Sequence, residues 1–299
     1  MNLMLLGAGA SYGSSSHDVP PIGAGLFTEL QRFNPAGWGA LPAEITSHFE
    51  ADFERGMREL ARTRSHDMPI LQRAMAAYFF SFLPTQDSLY VRLAERVRRN
   101  DWKGAIATLN YERLLEVSLL HVGVQPVANT LPSIGQTEVC FPHGCCHLFC
   151  EGVQASATDV SFSGSGVAFD GQVVAISDPT EFQARINGNS VPPVMSYFEP
   201  QKTRSSGVSF IRDQRARWAA LAEDANTIAI VGVKVRPSDS HLWEAIANTK
   251  ARVVFCSGNT AGIEFQEWAE KARPGKESEV LRGYFADEFN TLCGAVGLW

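Results

Sequence analysis

The sequence predicts an α/β fold, a doubly wound parallel sheet with an inserted helical lobe, on three observations. Short apolar runs recur along the chain, among them Leu3-Met4-Leu5-Leu6, Gly104-Ala105-Ile106-Ala107-Thr108, Thr227-Ile228-Ala229-Ile230-Val231 and Ala251-Arg252-Val253-Val254-Phe255-Cys256. Runs without polar alternation suit strands buried on both faces of a parallel sheet. Stretches with helical spacing separate most of them, the alternation that builds βα units. Between Leu26 and about Arg99 only helical spacing occurs, so residues 26–100 are expected to form the lobe within one domain spanning 1–299.

The first strand runs into Gly7-Ala8-Gly9-Ala10-Ser11. In a Rossmann-like sheet this turn lies at the carboxyl edge, where small residues let backbone N–H groups approach phosphate oxygens. A dinucleotide is the first expectation; a tight turn that binds nothing is the alternative. The fingerprint of hydride-transferring dehydrogenases is incomplete, because Tyr12 occupies the third glycine position and Gly13 comes one place late. Glu29, the acidic residue at the expected distance, lies in a helical pattern rather than at a strand end.

Pro20-Pro21-Ile22-Gly23 forbids a continuous helix on entry to the lobe. Within it, Phe49-x-x-x-Phe53-x-x-x-Met57 and Leu71-x-x-x-Met75-x-x-Tyr78-Phe79 carry helical periodicity. After the second strand Asn110 stands at a carboxyl end, followed by an amphipathic helix through Leu114-Leu115 and Leu119-Leu120. Val124–Val127 and Val139–Phe141 read as short strands, the latter leading to Pro142-His143-Gly144. Residues 151–209 are rich in glycine, serine and proline and are expected to form loops and hairpins, with strand character at Val167-x-Phe169 and Val173–Ile176. Helices over Arg212–Ala222 and Ser240–Thr249 precede the two remaining strands, with Asp239 a weaker site candidate whose structural alternative is to cap the second.

The 299 residues, 45% hydrophobic, suffice for a substantial core, and the net charge of −6 gives no global footprint for nucleic acid. Arg92, Arg96, Arg98, Arg99 and Lys103 fit the solvated face of a helix. The opening apolar run lacks a basic flank, and no segment approaches the ~20 apolar residues that span a bilayer. A cytoplasmic protein without a membrane partner is the expectation, with nucleic acid met only through another protein. Six cysteines, four of them between 140 and 150, do not resemble a secreted disulfide framework.

Three strand ends share one design: Gly7-Ala8-Gly9-Ala10-Ser11, Thr108-Leu109-Asn110-Tyr111-Glu112 and Val231-Gly232-Val233-Lys234, with His143-Gly144 between the last two. In the order of these motifs, along nearly its whole length, the chain resembles the sirtuin superfamily, and within it the divergent bacterial branch of NAD-consuming anti-phage effectors. The resemblance implies that Gly7 to Ser11 cradle the phosphates of NAD, with Pro21 and Thr108 as further contacts. It implies that Asn110 holds the nicotinamide ribose and a water, and that His143 is the catalytic base. Gly232 and Val233, with Ser257 at a later strand end, would contact ribose and adenine. Histidine suits a base at neutral pH without perturbation, and the glycine after it, Gly144, is expected to let substrate come close. A hydrogen-bonded core histidine and a turn-forming asparagine are the structural alternatives.

Two departures bear on the substrate. Protein-deacylating sirtuins carry Gly-Ile-Pro-Asp-Phe-Arg after the glycine turn, where this chain has Pro20-Pro21-Ile22-Gly23-Ala24-Gly25-Leu26. They also hold zinc with two Cys-x-x-Cys pairs, whereas here Cys140, Cys145, Cys146 and Cys150 have no second pair downstream. Cys145, Cys150 and His147 supply three of four ligands at an uncommon spacing, and buried thiols account for the cluster better than zinc. Hydrolysis of NAD to nicotinamide and ADP-ribose is therefore favoured over deacylation or ADP-ribosyl transfer, with a non-catalytic NAD or ADP-ribose sensor as the alternative from another class. A NAD-depleting effector needs control, which the resemblance implies through homo-oligomerisation or a sensor partner.

Overall fold

The computed structural model describes residues 1–151, 160–163, 166–188, 191–196 and 206–299. Strand β1 (Asn2–Leu6) enters the one-turn helix α1 (Ala8–Tyr12), and the lobe follows as α2 (Ala24–Phe33), α3 (Ala43–Ala51), α4 (Phe53–Thr63), α5 (Met68–Phe80) and α6 (Leu89–Arg99). Next come β2 (Ala105–Thr108), α7 (Leu114–His121), β3 (Gln125–Val127) and β4 (Gln136–Cys140). A more irregular stretch holds β5 (Leu148–Cys150), β6 (Val160–Ser163), β7 (Gly166–Phe169), β8 (Val173–Ala175) and α8 (Pro179–Gly188). The chain closes with α9 (Val208–Asp224), β9 (Thr227–Val231), α10 (Ser240–Asn248), β10 (Arg252–Cys256), α11 (Gly258–Ala272), β11 (Ser278–Leu281) and α12 (Phe285–Ala295).

The main sheet has seven strands in the order β11-β10-β9-β1-β2-β4-β3, and every pair is parallel. Its central strands are buried on both faces. Met4, Leu6, Ala229, Val231 and Val254 belong to one core with residues of α6, α7 and α12. Leu3, Leu5, Ile228, Ile230, Val253 and Phe255 belong to the other with residues of α9, α10 and α11. The period-two alternation of strands thus divides one apolar run between two cores, giving the three layers of a doubly wound fold. The strand order reverses between β1 and β9, the switch point at whose carboxyl edge such sheets place ligands.

Four features differ from the sequence expectation. The pattern Phe49 to Met57 is two helices: Asp52 is extended and its carboxylate accepts the Arg55 N–H at 3.0 Å, starting α4 anew. Residues 151–209 contain the β6–β7 hairpin, but also α8, whose Phe182 stacks on Phe80 at 3.7 Å and ties the stretch to the lobe. Within that stretch, 152–159, 164–165, 189–190 and 197–205 lie outside the described residues. Of the basic residues on α6, Arg92 and Arg96 lie over the Phe289 ring at 4.6 and 5.0 Å instead of facing solvent alone. The half-buried edge strand β11 and helix α12 complete the sheet where no pattern announced them.

Candidate active site

The β1 turn and the β9 turn are packed on each other. Gly7 N–H donates to Val231 C=O at 2.9 Å, Gly9 N–H to Gly232 C=O at 3.0 Å, and Ala10 N–H to Gly7 C=O at 2.9 Å. The expectation that this turn's N–H groups stand ready for phosphate is therefore corrected for Gly7, Gly9 and Ala10, which are already bonded to protein. The glycines serve close approach: a Cβ on Gly7 would lie 2.7 Å from Gly232 O and from the Val233 side chain. Gly232 has φ +68° and a Cβ there would lie 2.0 Å from Ala10 N. Ala8 is exposed at the rim. Ser257 joins the same rim, since Gly232 N–H donates to the carbonyl of its neighbour Cys256 at 2.9 Å. Pro21 lies in the segment leading into α2, where it flanks Gly25.

Ser11 faces inward and gathers the next strand end. Its Oγ donates to Glu112 Oε1 at 2.5 Å and lies 2.8 Å from Tyr90 OH, while Asn110 Nδ2 donates to Ser11 Oγ at 2.8 Å and to Tyr90 OH at 3.2 Å. Thr108 Oγ1 accepts the Asn110 N–H at 3.2 Å, shaping the turn after β2. Glu112 Oε2 accepts the Leu114 N–H at 2.6 Å at the start of α7. All five side chains are buried. Burial holds the Glu112 carboxyl above its ordinary range, against the lowering effect of Ser11, and pushes the Tyr90 phenol well above its own. One group in the network is unsatisfied: Asn110 Oδ1 is buried with no hydrogen-bond partner among the described residues.

His143 follows β4, the neighbour of β2, and α9 holds the strand that presents it. Gln214 Oε1 accepts the Phe141 N–H at 2.6 Å, Arg215 Nε donates to Pro142 O at 3.3 Å, and Arg217 grips Glu138 with bonds of 2.6 and 2.8 Å. The turn itself lies on the Asn110 turn: Cys146 N–H donates to Tyr111 C=O at 2.8 Å, and Ser196 bridges by donating its N–H to His143 C=O at 2.8 Å and accepting from Tyr111 OH. Gly144 does not open the turn to substrate. Its φ is +75° and a Cβ there would lie 1.9 Å from Val194 O, so the space beside it belongs to backbone.

Asp239, a weaker site candidate in the sequence, and His241, which the sequence did not single out, meet His143. His143 Nε2 lies 3.3 Å from His241 Nε2 and 3.6 Å from Asp239 Oδ1; His143 and Asp239 are buried and His241 is half-buried. Asp239, placed by the sequence to cap α10, makes no side-chain cap bond there. The spacing Asp-x-His after a strand end is the signal available in sequence. Tyr90, inside the apolar pattern of α6, gives none.

The cysteines assemble differently from the set considered. Cys150 Sγ accepts from Ser206 Oγ at 3.4 Å, while Cys145, Cys146 and His147 place their donor atoms within 4.8 Å of one another. Cys145 donates to Tyr111 C=O at 3.2 Å and to Glu112 C=O at 3.3 Å, and its Sγ lies 3.2 Å from His147 Nδ1. Burial drives the Cys145 thiol well up and the His147 imidazole down to about 3, and raises the neighbouring Glu116 carboxyl to about 8.

No family model matches the chain, and no curated protein matches it in sequence. Solved structures do match. A structure described as a Sir2 homologue–NAD complex aligns at a TM-score of 0.51 and 15% identity, covering 99% of this chain and 89% of the other. A mutant Sir2 homologue with ADP-ribose aligns at 0.49 and 16% identity, covering 99% and 91%. The chain has the fold of the Sir2 homologues. No described helix is long and apolar enough to cross a membrane.

Proposed function

We propose that the protein is a sirtuin-like NAD glycohydrolase that cleaves NAD to nicotinamide and ADP-ribose. The observation that carries this reading is the orphaned Asn110 Oδ1, a buried acceptor at the carboxyl edge of the sheet on a turn bonded to that of His143. A buried acceptor without a partner costs about 1–3 kcal/mol, and a ribose hydroxyl or a water donating to it recovers that cost. The likeness in fold to a structure that holds NAD supports the same ligand here.

The scissile bond joins ribose to a cationic nicotinamide, which departs with the bonding electrons and needs no proton. Its transition state resembles an oxocarbenium ion, so positioning and activation of water are the residues' main tasks. Asn110 orients the ribose and the water. His143 takes the proton as the oxygen bonds to the anomeric carbon. Ala8, Gly9, Gly232 and Ser257 form the rim along which the rest of NAD lies, held in place by the buried Gly7, Ala10, Ser11 and Val233, with Thr108 fixing the Asn110 turn and Pro21 a more remote contact. Unchecked hydrolysis depletes NAD, which fits an anti-phage effector switched on by oligomerisation or a sensor partner.

Purified protein incubated with NAD is expected to release nicotinamide and ADP-ribose in equal amounts. Asn110→Ala and His143→Ala are each expected to cut the rate by at least about 100-fold, in the range for positioned acid–base groups. Release only in the presence of an acyl-lysine peptide shows a deacylase, and NAD binding without release under every assembly state shows a sensor.

A further inference from the structure

Hydrolysis of the N-glycosidic bond of NAD sets a proton free, because nicotinamide leaves neutral and the attacking water loses one hydrogen. His143 is 6% exposed, so a proton it accepts needs an outlet before the next turnover. A neighbour within hydrogen-bond reach and with access to water provides one. His241 Nε2 lies 3.3 Å from His143 Nε2, and its residue is half-buried, at the first turn of α10.

We infer that His241 is the proton outlet of the site, with Asp239 as its counter-charge. The inference rests on the hydrolase reading. In the step, a water O–H bond breaks and the oxygen bonds to the anomeric carbon, while the C–N bond breaks with its electron pair going to nicotinamide. The water proton goes to His143 Nδ1, the Nε2 proton of His143 passes to His241 Nε2, His241 gives its Nδ1 proton to solvent, and exchange with water restores the starting tautomers of both rings before the next turnover. Asp239 Oδ1, 3.6 Å from His143 Nε2, stabilises whichever ring is cationic. At this distance one Nε2 carries the hydrogen and the other offers its lone pair, since two N–H groups or two lone pairs facing each other would repel. Among the described residues Arg215 on α9 is a further charged group at the turn, bonding Pro142 O at 3.3 Å and Ser196 Oγ at 3.4 Å.

The test is turnover of His241→Ala and His241→Asn, folded by circular dichroism, with and without added imidazole. The expected result is a fall in kcat of about tenfold or more at an unchanged KM for NAD, restored by imidazole as a diffusible proton acceptor. Wild-type kcat without imidazole overturns the outlet, as does a loss that imidazole leaves untouched or that appears in KM, since a packing role would behave so. Wild-type protein that releases no nicotinamide overturns the hydrolase reading and the outlet with it, a result distinct from the others.

Discussion

At Gly232 a single missing carbon decides how the β1 and β9 turns meet. With φ +68° and Ala10 N 2.0 Å from where a Cβ would stand, alanine meets both backbone strain and backbone collision. Gly232→Ala is expected to lower stability by about 2 kcal/mol or more, read as a shift in the melting transition, and to weaken NAD binding in calorimetry. Glu116 offers a different test. Its carboxyl is raised to about 8, chiefly by burial, so it stays protonated in the folded protein while an unfolded chain ionises it near its ordinary value of about 4.3. The folded state therefore binds the proton more tightly, and stability falls as pH rises from about 4.3 to about 8. Glu116→Gln is expected to flatten that slope in denaturant titrations between about pH 5 and about pH 8, values bracketed by those two limits.

Helix α9 matters to the site although it contributes no predicted site residue. Gln214 is fully buried, accepts the Phe141 N–H at 2.6 Å and donates to Asn129 Oδ1 at 2.7 Å, so β4 ends where α9 holds it. Gln214→Leu keeps most of the volume and leaves the buried Phe141 N–H unpaired, which costs about 1–3 kcal/mol, while the exposed Asn129 turns to water. The expected outcome is a lower melting temperature together with slower nicotinamide release, because His143 follows that strand end by three residues. Such coupling is invisible in sequence: the periodicity of α9 is legible, but nothing in Gln214-Arg215-Ala216-Arg217 shows which strand each polar group will meet. The α3–α4 break is similar, since Phe49, Phe53 and Met57 share one core whether or not the backbone between them is helical.

Across the whole molecule, the Phe80–Phe182 stack at 3.7 Å joins the lobe to the stretch after β5, with Gln72 Nε2 adding bonds to Pro193 and Met195 carbonyls at 3.3 and 3.0 Å. Phe182→Ala is expected to cost about 3–5 kcal/mol, read by thermal unfolding and by faster proteolysis between residues 151 and 209. The sheet itself was open to prediction because strands apolar on both sides have no other place to go. The sequence alone determined the parallel strands other than the edge strand β11, the turns at their carboxyl ends and the residue types at each, Gly7, Asn110 and His143 among them. The tertiary structure alone decided that the glycines pack on each other, that Ser11 and Tyr90 hold Asn110, and that Asp239 and His241 turn toward His143. The physical reason is range: hydrophobic period and turn chemistry act between near neighbours in the chain, whereas a hydrogen bond between residues 98 positions apart exists only once the strands between them are in register.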